Sequence, residues 1–229
     1  MTRFVASQPR VRRAHLSTRP RRAYRMVMPA LAARFWTPED ILALPDDGAR
    51  HECIDGVHLV TPTPRMDHQR VAMALARRLR AFAEQLRLGE VFELPGDLRL
   101  EQTALVQPDV FVIRQLPGSR RPRSWSEVTS LWLAVEVLSP STARTDRTRK
   151  RALYQRTDVG EYWIVDADAR VVERWRADDS RPEILSGSMT WQPMPDHPAL
   201  VIDLDALFAE VYGDDDPVTP SPPASAAPG

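Results

Sequence analysis

Residues 131–138 constrain the fold of this chain more than any other stretch, because seven of the eight are apolar and the exception is Glu136. A continuous apolar run of this length predicts a strand that is buried on both faces of its sheet. A lone carboxylate inside such a strand would cost several kcal/mol. Glu136 must therefore meet a metal ion, a proton or a cation, and a buried ion pair with one of the many arginines is the alternative to a functional site.

The periodic pattern in the rest of the chain predicts a sheet flanked by helices. Thr37-Pro38 opens a short helix that reaches about Leu44. Asp55-Gly56 forms the turn of a hairpin between residues 50–54 and 57–60. Apolar residues recur at helical spacing in residues 67–88, a helix that Gly89 should end. Further helices are predicted at residues 143–157 and 203–211, and strands at 91–94, 97–101, 109–113, 131–138, 162–165 and 171–176. This order indicates an α/β (α+β) domain with a central mixed β-sheet.

The two ends of the chain differ from its centre. Residues 1–35 hold nine arginines, no acidic residue and no apolar period, so we expect a disordered, Arg-rich leader. A translated leader ahead of a start at Met26 or Met28 explains it best, and a nucleic-acid-binding arm and a signal peptide are the alternatives. Residues 213–229 are rich in Pro, Ser and Ala and predict a disordered tail. The folded domain is then expected over residues 36–212.

The composition of this central domain disfavours several classes of protein. Its 28 acidic and 22 basic residues make it mildly acidic, which is unusual for a protein that only coats nucleic acid. The single cysteine, Cys53, excludes an internal disulfide, and the five scattered histidines offer no zinc-ligand spacing. No stretch approaches the ~18–20 apolar residues that span a bilayer, so no membrane partner is expected. A cytoplasmic location fits these features best.

Two acids at strand positions indicate a metal site. Asp109 begins the apolar strand 109–113, directly after Pro108, where packing does not require a carboxylate. Asp109 and Glu136 on neighbouring strands, with backbone carbonyls between them, would form an oxygen-rich pocket that suits Mg²⁺ or Mn²⁺ and does not suit zinc. Such a site favours hydrolysis of a phosphodiester, in which the metal polarises a phosphoryl oxygen and lowers the pKa of a bound water.

Lys150 is the one lysine of a chain with 30 arginines, and lysine alone offers a compact ammonium group. At about 100° per residue it falls on the same helical stripe as Leu153, which we expect to face the sheet. A lysine placed there could orient or deprotonate the attacking water. The alternatives are chance survival of a single lysine and a surface pair with Asp146, which would contribute only about 0.2–0.5 kcal/mol.

Several short motifs together resemble one protein family. They are the string Glu136-Val137-Leu138-Ser139-Pro140-Ser141-Thr142 with Asp146, Lys150, Tyr154 and Glu161-Tyr162-Trp163-Ile164-Val165-Asp166 after it, and the upstream segments His51-Glu52-Cys53-Ile54-Asp55-Gly56 and Gln107-Pro108-Asp109. In this order they resemble the Uma family of putative restriction endonucleases, over about residues 37–208. That family is assigned to the PD-(D/E)xK nuclease superfamily. The resemblance implies a restriction-endonuclease-like core, in which a central mixed β-sheet is flanked by α-helices.

The resemblance also implies roles for individual residues. The metal ligands would be Asp109, Glu136, Glu52 and the main-chain carbonyl of Val137. The superfamily usually has its lysine two residues after the second acid, where this chain has Leu138. The family places a lysine on the following helix instead, and Lys150 occupies that position. The three acids and Lys150 are therefore the predicted catalytic residues.

The function predicted from these features is a Mg²⁺- or Mn²⁺-dependent endonuclease that hydrolyses phosphodiester bonds in DNA, with duplex DNA as the expected partner. Arg114, Arg144 and Arg147 are expected to bind phosphates beside the site, and the alternative is that they only form solvated surfaces. An RNA-directed nuclease and a catalytically inactive nucleic-acid-binding or interaction module of a defence or mobile-element system stay open as alternatives. Cutting both strands of a duplex would favour a homodimer.

Overall fold

The computed structural model describes residues 34–93, 95–115 and 118–213. The predicted leader, apart from Arg34 and Phe35, lies outside the described residues, and so does the predicted tail after Gly213. None of the helices in the described ranges is long and apolar enough to cross a membrane.

The helices and strands follow one another in a mixed order. The helices are α1 (Pro38–Leu42), α2 (Met66–Leu86), α3 (Ala143–Thr145), α4 (Arg151–Arg156) and α5 (Leu204–Tyr212), with a 3-10 turn at Trp125–Glu127 and a π-helical turn at Asp146–Lys150. The strands are β1 (Arg50–Ile54), β2 (Val57–Thr61), β3 (Val91–Phe92), β4 (Leu98–Glu101), β5 (Ala104–Val106), β6 (Val110–Ile113), β7 (Leu131–Val137), β8 (Val159–Asp166), β9 (Val171–Trp175), β10 (Glu183–Leu185), β11 (Ser188–Trp191) and β12 (Leu200–Asp203).

The larger sheet has six strands in the order β10-β9-β8-β7-β6-β3. β7 and β8 run parallel, whereas the other neighbouring pairs are antiparallel. A parallel pair needs a crossover connection, and α3, the π turn and α4 supply it between β7 and β8. The prediction of a central mixed sheet flanked by helices is confirmed.

Strand β7 is buried on both of its faces, as its apolar run predicts. Leu133, Val135 and Val137 pack in the hydrophobic cluster that α2 and α5 cover. Ala134 packs in the cluster on the opposite side of the sheet, together with buried residues of α4. Because side chains alternate along a strand, Glu136 points to the same side as Ala134. The acid therefore faces the crossover helices and not α2.

A smaller, antiparallel sheet lies over that side, with strands in the order β2-β1-β5-β4. The predicted hairpin is confirmed, since β1 and β2 pair across Asp55 and Gly56, whose φ angles are 52° and 77°. Ile54 of β1 packs in the same cluster as Ala134 of the larger sheet. By alternation, Glu52 faces the larger sheet as Ile54 does.

Some boundaries differ from those predicted. α2 ends at Leu86 and not near Gly89, because Arg87 adopts the left-handed conformation (φ 54°) and its N–H bonds to the carbonyl of Ala83. Gly89 instead allows a close approach, since a Cβ there would lie 2.0 Å from the carbonyl oxygen of Ile113. The sequence pattern does not predict β5, β10, β11 and β12, which have only three or four residues each.

A π-helical turn interrupts the crossover helix. The helix predicted over residues 143–157 is present, but its middle turn contains an i→i+5 hydrogen bond from the N–H of Arg151 to the carbonyl of Asp146. Asp146 and Lys150, the ends of this turn, are 1% and 3% exposed, while the three residues between them are exposed. Single π turns of this kind occur frequently at functional sites.

Candidate active site

Three buried acids and one buried lysine meet on the side of the larger sheet that faces β1. Glu52 comes from β1, Asp109 immediately precedes β6, Glu136 lies on β7 and Lys150 ends the π turn. Their exposed fractions are 0%, 6%, 3% and 3%. The fold therefore brings together all four residues that the sequence predicts as catalytic.

Lys150 links two of the acids. Its Nζ donates a hydrogen bond to Oε1 of Glu136 at 2.9 Å and lies 3.0 Å from Oε2 of Glu52. The hydroxyl of Tyr154 also donates to Oε1 of Glu136, at 3.2 Å. The inward orientation predicted for Lys150 is confirmed, and the alternative of a surface pair with Asp146 is wrong. The cation that Glu136 requires is this lysine and not an arginine.

Asp109 is held by a separate set of donors. Nη1 of Arg50 donates to Oδ1 of Asp109 at 2.7 Å, and the N–H of Val137 donates to Oδ2 at 2.8 Å. Nε2 of His68, at the start of α2, lies 3.1 Å from the same Oδ2. The hydrogen bond from Val137, the residue after Glu136, fixes the carboxylate of Asp109 beside β7.

The Gln107-Pro108-Asp109 segment connects the two sets. The N–H of Gln107 donates to Oε1 of Glu52 at 2.7 Å, and its carbonyl accepts a hydrogen bond from Nη1 of Arg50 at 3.0 Å. Pro108 has no N–H to donate, so the strand pairing starts at Asp109, whose N–H bonds to the carbonyl of Val135 at 3.0 Å. Glu52 on β1 and Asp109, just before β6, are therefore linked by hydrogen bonds through Gln107 and Arg50.

The charges of the acids set the protonation state of Lys150. Burial alone would lower the pKa of Lys150, but the nearby Glu136, Glu52 and Asp146 outweigh burial and raise that pKa above its ordinary value. The ammonium group is therefore charged at neutral pH. Burial raises the pKa of Glu136, and Asp109 adds to the effect while Lys150 opposes it.

Asp109 and Asp146 are shifted in opposite directions. Burial would raise the pKa of Asp109, but the hydrogen bond from His68 and the charge of Arg50 lower it to about 2. Burial raises the pKa of Asp146 to about 6, against the opposing charge of Lys150. The difference follows from direct partners, because Asp109 has three donors, whereas among the described residues Asp146 has only the nearby side chain of Thr142, which makes no well-formed hydrogen bond and lowers its pKa only in part.

A cavity of about 430 Å³ opens onto these groups. Its walls include Arg50, His68, Asp109, Glu136, Val137 and Lys150. Glu52 does not line this cavity. It contacts Lys150, which does line the cavity. Asp109, Glu136 and the main chain of Val137 are thus the predicted ligands that a bound ion could contact from the cavity.

The charges and donor atoms of the site fit a divalent cation. The carboxylates of Glu52, Asp109, Glu136 and Asp146 outnumber the permanent cations Lys150 and Arg50. Oxygen is the donor atom that Mg²⁺ and Mn²⁺ prefer. In the arrangement described, the acids are turned toward the lysine and the arginine, and within the described ranges no three His, Cys, Asp or Glu side chains are placed to hold a metal together. An incoming ion would therefore compete with Lys150 for Glu136 and with Arg50 for Asp109.

The three arginines predicted to bind phosphates lie in different places. Arg147 lines the cavity and pairs with Glu173 at 2.7 Å. Arg144 is exposed at the start of the crossover helix. Arg114 follows the far end of β6 from Asp109, where it pairs with Asp158 at 2.8 Å and stacks over Trp132. The fold brings Arg147 to the site, while Arg114 is five residues from Asp109, or roughly 17 Å, along the strand.

His68 and Arg50 also belong to the site, although no motif in the sequence assigns them to it. A periodic signal exists for both of them. His68 precedes Val71 and Leu75 by three and seven positions, which places it on the buried stripe of α2. Arg50 alternates with Glu52 and Ile54 on β1, so it faces the same side. Neither signal identifies Asp109 as the partner, because that contact depends on how two distant segments pack.

Comparisons with known proteins agree with this fold. A family model described as "Uma2: Putative restriction endonuclease" matches residues 38–205, which is more than half of the chain. Among solved structures, the chain is similar to a putative nuclease belonging to DUF820 from Anabaena variabilis ATCC 29413, with a TM-score of 0.58 and 19% sequence identity. That similarity covers 77% of this chain and 99% of the other. No curated protein matches the chain significantly.

Proposed function

The chain belongs to the Uma2 family of putative restriction endonucleases, and from this premise we propose that it is a metal-dependent endonuclease that hydrolyses phosphodiester bonds in double-stranded DNA. The family establishes the nuclease class, and the metal, the role of the lysine and the DNA substrate are the proposal. The observation that carries it is the convergence of Asp109, Glu136 and Lys150 on one cavity. Packing alone does not require two acids and a lysine to be buried together there.

Asp109 and Glu136, with the main-chain carbonyl of Val137, would hold Mg²⁺ or Mn²⁺. When bound, the ion would polarise a phosphoryl oxygen and lower the pKa of a bound water. Glu52 would not contact the ion directly. Its Oε2 lies 3.0 Å from Nζ of Lys150, and its Oε1 accepts a hydrogen bond from the N–H of Gln107. The role of Glu52 is therefore to position the lysine.

Lys150 supplies a charged hydrogen-bond donor at the same place. Because nearby acids raise its pKa, the ammonium group donates protons in hydrogen bonds and does not accept one at neutral pH. This favours a role in orienting the attacking water and stabilising negative charge on the phosphate, and it disfavours deprotonation of the water.

The arginines near the cavity support a nucleic-acid substrate. Arg147 lines the cavity and Arg144 is exposed on the same crossover helix. Phosphate contacts from such side chains would fix the register of the backbone over the acids without reading the sequence. A homodimer would place two such centres on the two strands of a duplex.

Cleavage of supercoiled plasmid with Mg²⁺ or Mn²⁺ tests the proposal. The wild type should nick and linearise the plasmid, and chelation of the metal should stop the reaction. Glu136→Gln should reduce the rate by roughly 100-fold or more, because even outer partners of metal ligands contribute 10–100-fold. Lys150→Arg should keep the charge and the fold but lose most of the cleavage, because a planar guanidinium cannot occupy the place of a compact ammonium.

The matched control is Asp158→Asn, which removes an exposed acid at the far end of β8 from the cavity and should cleave as the wild type does. Equal cleavage by the wild type, Glu136→Gln and Lys150→Arg would contradict the proposed mechanism. Cleavage of RNA without cleavage of DNA would identify an RNA-directed nuclease. Binding of DNA without cleavage of either polymer would identify an inactive binding module.

A further inference from the structure

Asp146 is a buried acid that has no role in the hydrolysis proposed above. It is 1% exposed, and neither of its carboxylate oxygens accepts a well-formed hydrogen bond among the described residues, although the nearby side chain of Thr142 partly lowers its pKa. Buried polar groups nearly always have a partner, so an unpartnered buried carboxylate requires an explanation. No packing need accounts for it, because an apolar side chain would fill the same space without the cost of burying a charge.

A metal ion bound to Glu136 would remove one of the two carboxylate partners of Lys150. If Glu136 binds a metal ion, the ammonium group of Lys150 must give up its 2.9 Å hydrogen bond to Oε1 of that acid. Glu52 would remain as its one direct carboxylate partner, at 3.0 Å. A buried ammonium group that loses one of two partners is strongly disfavoured unless another acid takes its place.

We propose that Asp146 is a positioning residue that receives the ammonium group of Lys150 when Glu136 turns to a divalent metal ion. This inference rests on the proposed function, because it needs the metal site at Asp109 and Glu136. Asp146 would thereby hold Lys150 beside the cavity, charged and ready to orient the water, while Glu136 is occupied.

The local backbone suits this role. Asp146 and Lys150 begin and end the same π turn, and both are turned inward while the residues between them are exposed. The carbonyl of Asp146 is fixed from two sides, by the N–H of Arg151 and by the hydroxyl of Tyr162 at 3.3 Å. Lys150 and Asp146 already interact through their charges, so the exchange would need only the flexible Lys150 side chain to change its partner while the backbone of Asp146 stays in place.

The single lysine of the chain makes this exchange directly observable. In protein grown with isotope-labelled lysine, every side-chain NMR signal from lysine comes from Lys150. Mg²⁺ should shift this signal in the wild type, without any nucleic acid present. Asp146→Asn should abolish most of the shift and weaken Mg²⁺ binding, measured by calorimetry, by roughly tenfold or more. Asp146→Glu should restore both in large part, because it returns a carboxylate, one methylene group further from the backbone, to the same turn.

The controls separate this inference from the proposed function. Asp158→Asn loses an acid far from the cavity and should respond as the wild type does. Equal shifts and equal Mg²⁺ affinities in the wild type and Asp146→Asn would overturn the role of Asp146 and leave the metal site intact. Absence of any Mg²⁺ response in the wild type would overturn the metal site and this inference together.

Discussion

At the scale of single residues, the site is a set of buried charges whose partners are unequal. Asp109 has three direct donors, and Glu136 has two. Asp146 accepts no well-formed hydrogen bond among the described residues, and burial raises its pKa to about 6. Its ionised form is therefore a local source of instability in the folded protein, which a change of pH should reveal.

Asp146→Asn should raise the free energy of unfolding at pH 8 by roughly 2–3 kcal/mol in the absence of metal. The folded pKa of Asp146, about 6, lies above its ordinary value of 3.8, so folding favours the protonated acid. The contribution of Asp146 to stability is thus fully present below about pH 4 and is lost as the pH rises through about 6. Urea unfolding of both proteins at pH 4 and pH 8 measures the effect. A difference of equal size at the two pH values would contradict it.

At the scale of elements, the parallel pair β7–β8 and its crossover carry the site. β7 holds Glu136, the crossover holds Lys150, and β8 pairs with β7 from Leu131 to Val137. The two strands approach closely at Gly160, where a Cβ would lie 2.7 Å from the carbonyl oxygen of Trp132. The backbone spacing at this point therefore depends on a glycine.

Gly160→Ala should lower the free energy of unfolding by roughly 1–3 kcal/mol, because the added methyl group meets a main-chain carbonyl that cannot move aside. Gly96→Ala is the matched control, since the nearest atoms to its Cβ would be ring atoms of Phe111 and Trp125 at 3.2 Å, a longer distance than at Gly160 and to side chains instead of a main-chain carbonyl. Urea unfolding of the two variants gives the comparison. A larger loss for Gly96→Ala than for Gly160→Ala would count against this view of the strand pair.

The elements show how far sequence patterns predict this fold. β7 and α2 are found because continuous burial and helical spacing leave clear apolar patterns. The crossover helix is found by its length, but its π turn is not, because an i→i+5 hydrogen bond has no residue signature comparable to a proline or a cap. The short strands β10 to β12 are missed although each pairs with a strand next to it in the sequence, because a run of three or four residues carries only a weak periodic signal.

At the scale of the whole molecule, the site is assembled from segments that are far apart in the chain. Motifs predict which acids belong together, because Glu52, Asp109, Glu136 and Lys150 each lie in a recognisable string. They do not predict the supporting donors, because the contact of Arg50 and His68 with Asp109 exists only after β1, α2 and β6 have packed. The sequence therefore identifies the reactive groups, while the fold determines their protonation.

For the endonuclease activity that we propose, the site described also determines how a duplex would be cut. Each chain supplies one cavity lined by Asp109, Glu136 and Lys150, so a single chain should cut one strand at a time. At low protein concentration, nicked plasmid should accumulate before linear plasmid. At concentrations where the protein sediments as a dimer, linear plasmid should form directly. Time courses over a range of concentrations, with analytical ultracentrifugation, measure this. Direct linearisation by a species that sediments as a monomer would contradict it.

The contact of one lysine with two buried acids also restricts how this protein can change in evolution. Loss of Lys150 would leave Glu52 and Glu136 buried without their cation, a change that typically destabilises a protein by about 3–5 kcal/mol. That is a large share of the roughly 5–15 kcal/mol by which a domain is stable. A descendant that loses this lysine must therefore also replace an acid or accept a protein that folds poorly. Inactivation by a single substitution here would tend to remove the protein as well as its activity.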